Sequence, residues 1–503
     1  MCIRDSLKLN KYEKEIAKRI RLEIESRLET MIKVGLPYLS LDRLSSTLSG
    51  GETQRINLTR TLGSNLTNSL YILDEPSIGL HPKDTSKLVD VLHNLRNLGN
   101  TVIVVEHEEE VILNADHIID VGPHAGIHGG SILYNDSLKA FKKKAKESLT
   151  SDYLYGRKKI EVPKKRRKFS NKIEIINARH HNLQSIDVTF PLNSFVTVTG
   201  VSGSGKTTLI KHILYPGLKR LLGENTAIKL GAHDEIKGDV SSIKQIELIN
   251  QKPIGKSSRS NPVTYVKAYD SIRKLMADQQ LSKIRGYKPK HFSFNVEGGR
   301  CENCKGEGEI IVEMQFLADV KLQCEDCKGQ RFKQEVLEVH YKGHSIFDIL
   351  NLSIEEAIDF FEDNREIINK IKPLADVGLG YVKLGQSSST LSGGEAQRVK
   401  LASYLGKEAR GNQILFIFDE PTTGLHFHDI HKLLYALNAL VECGHSVIVV
   451  EHNIEVIKCS DWVIDLGPEG GKKGGQLIFQ GTPENLAKCK HSETGRYLKE
   501  KLF

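Results

Sequence analysis

The sequence of 503 residues has no apolar run that approaches the ~18 residues a membrane-spanning helix requires. It also begins without the basic and then apolar stretch of an export signal. These absences predict a soluble, cytoplasmic protein that has no membrane partner. Hydrophobic residues make up 39% of the chain and charged residues 27%, which is typical of globular domains. The length suggests roughly three such domains.

Net charge is also small for the length. The formal value is +8, which by itself does not indicate a nucleic-acid-binding protein. The distribution is uneven, because residues 139–172 hold fourteen Lys or Arg and three Asp or Glu. The simplest interpretation of this stretch is a solvated basic linker.

Cysteines are few and clustered. Of the eight in the chain, four lie close together, at Cys301, Cys304, Cys324 and Cys327. In an intracellular protein this clustering favours a metal site over disulfides. The remaining four are scattered and are expected to be ordinary thiols.

An internal duplication organises the chain. VGLPYLSLDRLSSTLSGGETQRINL begins at Val34, and VGLGYVKLGQSSSTLSGGEAQRVKL begins at Val377. LYILDEPSIGLH and LFIFDEPTTGLH follow at Leu70 and Leu415, and VIVVEH and I/VID-x-GP recur after each. The apolar runs before each DEP and EH are typical of parallel strands buried on both faces, so we predict two copies of an α/β unit. In the first copy, Ile16, Ile20, Ile24, Leu28 and Ile32 recur every four residues, which predicts a helix that buries one face.

A phosphate-binding loop occurs only in the second copy. GVSGSGKT, residues 200–207, satisfies G-x-x-x-x-G-K-[ST] after an apolar strand. Its glycines let backbone N–H groups surround a polyanion, Lys206 places a charge near the β- and γ-phosphates, and Thr207 can ligate Mg²⁺. The predicted ATP- and Mg²⁺-binding residues here are Gly200, Ser202, Gly203, Ser204, Gly205, Lys206, Thr207 and Thr208.

Four further residues would complete such a nucleotide site. Asp419 ends an apolar strand and suits Mg²⁺ binding, and Glu420 could orient or deprotonate the attacking water. His452 ends the next strand and could contact the γ-phosphate. Gln251 follows another apolar stretch and could sense the metal and the water. We therefore predict Glu420, His452 and Gln251 as the catalytic residues.

The element LSGGE-x-QR resembles the signature of the ABC-type ATPases. In that family two nucleotide domains pack head to tail, and each ATP lies between the loop of one and the signature of the other. The resemblance implies that the loop at Lys206 faces Ser49, Gly50 and Gly51 of the first copy. The equivalent residues without a loop to face are Asp74, Glu75, His107, Ser392, Gly393 and Gly394. We expect at most one competent ATP site per chain.

A narrower resemblance rests on longer stretches. They are NPVTYVKAYDSIR, RGYKPKHFSFNVEGGRCENCKGEGEI and VGLGYVKLGQSSSTLSGGEAQRVKLA, and His81 and His426 stand in a GLH motif where most ABC-type ATPases carry Asp. Over about residues 7–500 the chain resembles the UvrA family, the damage-sensing subunits of bacterial nucleotide excision repair. The resemblance implies ATP hydrolysis without nuclease activity, binding of double-stranded DNA, a dimer and loading of the UvrB subunit.

The chain also departs from that family. UvrA-like chains are nearly twice as long and begin with another phosphate loop, a UvrB-binding region and further modules. We therefore expect a C-terminal portion that lacks the UvrB-binding region. Two alternatives stay open: an ABC-type ATPase of transport or resistance, and an inactive fragment.

The four cysteines follow a zinc pattern, with two C-x-x-C pairs separated by nineteen residues. Alternating apolar residues between the pairs predict a β-hairpin that turns near Asp319. Four thiolates leave no open coordination position, so we expect a structural Zn²⁺. Basic residues around this module could contact DNA phosphates, although a solvated basic face is the alternative. They are Lys256, Arg259, Lys283, Arg285, Lys288, Lys290, Arg300 and Arg331.

These features predict an α/β, ABC-type P-loop ATPase with one partial and one complete nucleotide-binding domain and a zinc-binding hairpin insertion. Residues 1–6 are interpreted as a non-native leader. The partial first domain spans 7–135, the basic linker 136–172, and the second domain 173–500. The zinc module lies within the second domain, at about 290–335.

Overall fold

A computed structural model describes residues 9–45, 48, 50–62, 67–255, 259–312, 314, 320–405 and 412–503. The predicted site residues Ser49 and Lys256 and the predicted turn at Asp319 lie outside the described residues. The strands are β1 Leu70–Asp74, β2 Thr101–Val105, β3 His117–Gly122, β4 Ser131–Ser137, β5 Lys172–Ala178, β6 Ile186–Pro191, β7 Phe195–Gly200, β8 Glu235–Gly238, β9 Ile243–Ile249, β10 Glu309–Val312, β11 Val320–Gln323, β12 Gln413–Asp419, β13 Ser446–Val450, β14 Trp462–Gly467 and β15 Gln476–Gly481.

Helices connect these strands and form an insertion in the second copy. They are α1 Lys11–Lys33, α2 Gly50–Leu62, α3 Pro82–Asn97, α4 Glu109–Ile112, α5 Leu138–Lys144, α6 Leu149–Leu154, α7 Tyr215–Leu221, α8 Pro262–Tyr265, α9 Ala268–Ala277, α10 Gln280–Ile284, α11 Gln334–Leu337, α12 Ile346–Asn351, α13 Ile354–Phe360, α14 Arg365–Asp376, α15 Gly393–Ala402, α16 Phe427–Glu442, α17 Ile454–Ile457, α18 Pro483–Leu486 and α19 Glu493–Leu502. A wider helical segment, Thr208–Leu214, follows the phosphate loop. Within the described residues, no helix is long and apolar enough to cross a bilayer.

The second copy is built on a six-stranded sheet in the order β15-β14-β7-β13-β12-β9, in which only β15 runs antiparallel to its neighbour. The apolar runs of β7, β12 and β13 are buried on both faces, which is why they read as continuous rather than alternating. The predicted α/β class is therefore confirmed. A second sheet, in the order β6-β5-β8, is antiparallel.

The first copy repeats two parts of that sheet. Strands β1 and β2 pair in parallel in the register of β12 and β13, and β3 and β4 pair antiparallel like β14 and β15. In the second copy, β7 and the segment Thr208–Leu214 contribute Val198 and Ile210 to one buried cluster with Ile417 and Ile448. The first-copy counterparts of Ile417 and Ile448 are Ile72 and Ile103, and both are exposed. The two copies thus share a register but differ in what covers their sheets.

Helix α1 forms as the four-residue spacing predicts, and Asn10 caps its first turn. The prediction that this helix buries one face is wrong, because none of its residues is buried. Its isoleucines at 16, 20, 24 and 32 are exposed along the helix. Periodicity fixes which residues share a face, but burial requires a partner surface for that face.

Two short helices, α5 and α6, lie within the stretch 136–172 that the charge pattern marks as a linker. Part of its positive charge is paired rather than solvated. Arg166 contacts Glu484, and Arg167 contacts Asp461 at 3.0 Å. This stretch is therefore attached to the second copy at these two arginines.

Candidate nucleotide and metal sites

The phosphate loop follows β7 directly. The Lys206 ammonium donates hydrogen bonds to the carbonyl oxygens of Gly200 (2.8 Å) and Val201 (2.9 Å). Gly200 has φ = +129°, and a methyl group added there would lie 1.9 Å from the Leu466 carbonyl oxygen. Only glycine fits this position, because the obstructing atom belongs to the backbone of β14. The loop is therefore anchored on β14.

The predicted acidic residues lie at the ends of neighbouring strands. Asp419 ends β12 and forms an ion pair of 2.6 Å with Lys211. Glu420 follows with φ = +47°, a left-handed conformation that costs energy for a residue with a side chain. Burial, with the nearby Asp419 and Glu451 carboxylates, raises the pKa of Glu420 to about 7. This carboxyl group is thus poised between its charged and neutral forms near neutral pH.

His452 and Gln251 both approach Glu420. The imidazole Nε2 of His452 lies 3.8 Å from the Glu420 carboxylate. Burial is the main reason that the pKa of His452 lies well below its ordinary value, so this ring is neutral. The Gln251 amide donates to the Glu420 carbonyl oxygen (3.2 Å) and the Thr423 hydroxyl (3.1 Å). The structure therefore brings together the three predicted catalytic residues.

First-copy residues close the other side of the loop. A methyl group added at Gly203 would lie 2.7 Å from the Tyr38 ring. The same ring lies beside Gly470, and the Cβ and backbone of Tyr38 lie beside Gly471. The Tyr38 hydroxyl donates to Glu52, in the signature LSGGE, at 2.9 Å. Gly50 and Gly51 begin helix α2. The surroundings of the first signature thus face the phosphate loop of the second copy.

The equivalent residues of the two copies make reciprocal contacts. A methyl group added at Gly79 would lie 3.0 Å from the Glu420 carboxylate, and one at Gly424 would lie 3.1 Å from the Glu75 carboxylate. Glu75 has φ = +45°, and His107 Nε2 lies 3.7 Å from its carboxylate. Each acidic glutamate therefore abuts the turn that follows the DEP motif of the other copy.

The second signature begins helix α15. The Ser392 hydroxyl caps helix α15 by accepting from the Glu395 N–H (3.2 Å), and the Glu395 carboxylate accepts from the Ser392 N–H in return. A methyl group at Gly393 would contact Gln251, and one at Gly394 the Thr423 carbonyl oxygen. Asp74 ends β1 as Asp419 ends β12.

One functional pair escaped the sequence analysis. The Glu451 carboxylate accepts hydrogen bonds from the backbone N–H groups of Thr422 (2.9 Å) and His452 (2.7 Å). Glu106 does the same for Ser77 and His107. These glutamates hold the turn after DEP against the histidine strand. The signal was the E of the repeated VVEH.

The four cysteines converge at the base of the hairpin β10–β11, whose strands pair antiparallel as predicted. All four sulfur atoms are buried and lie within 4.8 Å of one another. Cys301 and Cys324 Sγ are 3.9 Å apart, and Cys304 and Cys327 Sγ are 3.6 Å apart. A tetrahedron with Zn–S bonds of ~2.3 Å has edges of about 3.8 Å, so the thiol set fits one zinc ion.

The basic residues near this module fall into two groups. Lys283, Arg285, Lys288 and Lys290 are exposed on and after α10, and Arg285 pairs with Glu338. The other three candidates that the structure describes are less exposed and contact the protein itself. Arg259 approaches Glu307, Arg300 donates to the Asn295 carbonyl oxygen, and Arg331 donates to the Gly385 carbonyl oxygen. The exposed group is therefore better placed for a phosphate backbone.

Curated relatives named UvrABC system protein A match nearly the whole of this chain. UvrABC system protein A of Aquifex aeolicus is 54% identical over 496 residues, which cover 98% of this chain and 53% of the relative. The protein of the same name from Clostridium acetobutylicum is 52% identical over 499 residues, with 99% and 53% covered. The chain thus spans about half the length of the curated relatives it matches. No family model matches the sequence.

Solved structures agree. The crystal structure of UvrA2 from Deinococcus radiodurans superposes with a TM-score of 0.91 and 44% identity, covering 98% of this chain and 59% of that chain. A model of ribosome-bound archaeal Pelota and ABCE1 matches with a TM-score of 0.52 and 20% identity, over 92% of this chain and 60% of that one, which concerns the fold alone. The predicted ABC-type fold is confirmed.

Proposed function

From the premise that this chain is a member of the UvrA family, we propose that it is an ATP-hydrolysing, DNA-binding component of damage recognition in nucleotide excision repair. Two kinds of observation support this: the identity to UvrABC system protein A over nearly the whole chain, and a loop, signature and cysteine module in one polypeptide. Double-stranded DNA and a second copy of the chain are the partners we propose.

The observation that carries the ATPase proposal is the contact of Tyr38 with Gly203. Because Tyr38 lies ten residues before Leu48, this contact supports a site in which the LSGGE at Leu48 would lie on the γ-phosphate side of the loop. The ATP site is then composite, with the loop from the second copy and the signature from the first. The proposed boundaries are 7–135, 136–172 and 173–500.

The residues would divide the work as follows. The Lys206 ammonium and the loop N–H groups would bind the β- and γ-phosphates. Thr207 and Asp419 would hold Mg²⁺, which neutralises charge on the phosphate oxygens. Glu420 would accept a hydrogen bond from the attacking water, while His452 and Gln251 hold its surroundings in place. Four thiolates would leave no open coordination position on the zinc ion, and the proposed hydrolysis requires none, so the zinc site would be structural.

Two measurements test the proposal. Lys206→Ala should abolish ATP binding, whereas Lys237→Ala, at an exposed lysine of β8, should leave it unchanged. Filter binding with a bulky-adduct duplex and its undamaged twin should show preference for the damaged duplex. Tight single-site ATP binding by Lys206→Ala would refute the site. Equal affinity for the two duplexes would refute the repair role and leave a plain ABC-type ATPase.

A further inference from the structure

Two hydrogen-bonded chains of histidine, threonine and aspartate connect the copies. His81 Nε2 lies 3.1 Å from the Thr494 hydroxyl, and that hydroxyl donates to Asp465 at 3.1 Å. The equivalent chain runs from His426 to Thr150 and on to Asp120, also at 3.1 Å and 3.1 Å. In each chain the histidine belongs to one copy and the aspartate to the other.

The direction of each chain is fixed by the backbone. The Lys83 N–H donates to His81 Nδ1 (3.2 Å), so Nδ1 is the acceptor and Nε2 carries the hydrogen toward Thr494. The ring is fully buried, and burial with the charge of Lys206 lowers the pKa of His81 to about 3. The neutral His81 ring is therefore the hydrogen-bond donor to Thr494, and the Thr494 hydroxyl in turn donates a hydrogen bond to the Asp465 carboxylate.

Asp465 lies under the phosphate loop. On β14 it pairs with Thr199, the residue before Gly200, and the next residue, Leu466, supplies the carbonyl that confines Gly200. The Ser492 hydroxyl also donates to the Asp465 carboxylate, and the positive charge of Lys206 interacts electrostatically with this carboxylate. Asp465 is 2% exposed, so unpaired oxygen atoms there would be costly.

We propose that His81 and Thr494 are positioning residues for the nucleotide site, which satisfy the Asp465 carboxylate across the interface between the copies and so leave the Lys206 ammonium available to phosphate. This inference rests on the proposed function, because it deepens the role of the Lys206 loop. The variant without the Thr494 hydroxyl leaves one Asp465 oxygen unpaired. The nearby ammonium of Lys206 then becomes its replacement partner, in competition with ATP.

The chain offers a matched control. Thr494 lies in the first turn of α19 and Thr150 in the first turn of α6, each two residues after a serine whose hydroxyl caps its helix. The series of hydrogen bonds through Thr150 ends at Asp120 of the first copy. The sequence contains no second G-x-x-x-x-G-K-[ST] loop that this aspartate could support. Thr494→Val and Thr150→Val therefore remove the same hydroxyl from the same local geometry.

The experiment measures ATP affinity and steady-state turnover of the two valine variants. Loss of one buried hydrogen bond should raise the ATP dissociation constant of Thr494→Val about 2- to 10-fold, with a smaller change in kcat, and Thr150→Val should match the wild type. Unchanged or tighter binding by Thr494→Val, or equal effects of both variants, would overturn the proposal.

Two substitutions of His81 separate positioning from helix capping. Glutamine places an amide N–H where Nε2 lies and can still donate to Thr494. Asparagine places an oxygen where Nδ1 lies and keeps the cap on α3. We expect His81→Gln to keep wild-type ATP affinity and His81→Asn to lose it as Thr494→Val does. Rescue by Asn alone would show a capping role and overturn the inference. A wild-type chain that binds no ATP would instead overturn the proposed function, and this inference with it.

Discussion

Ile72 and Ile417 provide a test of how the two copies differ. Each is the third residue from the C-terminal end of its strand, and each pairs with an isoleucine, Ile103 or Ile448, in the same register. Ile417 is 0% exposed and Ile72 is 66% exposed. Ile417 also pairs with Leu248 of β9, whereas within the described residues β1 pairs only with β2. The difference between the variants therefore measures the combined effect of burial and of the second neighbouring strand.

The expected magnitudes follow from those exposures. Ile417→Ala leaves a cavity in a packed core and should lower the free energy of unfolding by about 2–5 kcal/mol. At Ile72 only about a third of the side chain is buried, and full burial of isoleucine contributes roughly 1.5–3 kcal/mol, so Ile72→Ala should cost about 0.5–1 kcal/mol. We expect a gap of at least ~1 kcal/mol between the variants.

Urea unfolding measures both changes. Circular dichroism follows both copies, and the fluorescence of the single tryptophan, Trp462, on β14, follows the six-stranded sheet. Ile417→Ala should shift both signals to lower urea. If the two variants lose the same free energy within ~0.5 kcal/mol, then Ile72 is covered in solution and the reasoning is refuted. Repeating the series at tenfold lower protein concentration would show whether a second chain provides that cover.

Three further predictions concern the sites. Burial raises the pKa of Glu420 to about 7, and the ionised form would act on water, so turnover should rise as the pH increases through about 7. The Glu420→Gln variant should be nearly inactive at every pH. A wild-type rate that falls over this range would contradict the proposed role of Glu420. When denatured, the wild-type protein should release one zinc ion per chain to a chromogenic chelator, and the Cys304→Ser variant should release much less. As a control, Trp462 fluorescence should give the same unfolding midpoint for the two proteins. Full zinc release by the variant would contradict the four-thiolate site. Replacing Lys283, Lys288 and Lys290 by alanine should lower the slope of log K for DNA against log salt by about 2–3, since each lost phosphate contact removes roughly 0.9; an unchanged slope would place DNA elsewhere.

Much of the site could be predicted from the sequence because its chemistry is local. The loop and the C-x-x-C pairs each bring their atoms together within a few residues and are recognised by their spacing, whereas the signature is recognised by its resemblance to that of the ABC-type ATPases. The proximity of the three residues predicted as catalytic could be anticipated because each follows a strand of recognisable pattern. Parallel strands bring such positions to one edge of the sheet, where Gln251 and His452 both meet Glu420.

What the sequence could not reveal depends on contacts between the copies. His81 was noted only as a departure from the Asp of related ATPases, and nothing in its neighbourhood points to Thr494, more than 400 residues away. The repeat that contains the threonines, S-x-T-x-x-Y-L at Ser148 and Ser492, is short and was overlooked. The predicted burial of α1 was wrong for a related reason, since periodicity cannot specify a partner surface.

The contact between Gly79 and the Glu420 carboxylate has a consequence for genetics. Any side chain at Gly79 would press on a carboxylate encoded more than 300 codons downstream, and Gly424 stands in the same relation to Glu75. A saturation library restricted to codons 77–85 would therefore report on turnover at a site whose loop lies in the other copy. Suppressors of such alleles should map to the second copy, so that the two segments of the gene behave as one complementation unit although each encodes its own strands.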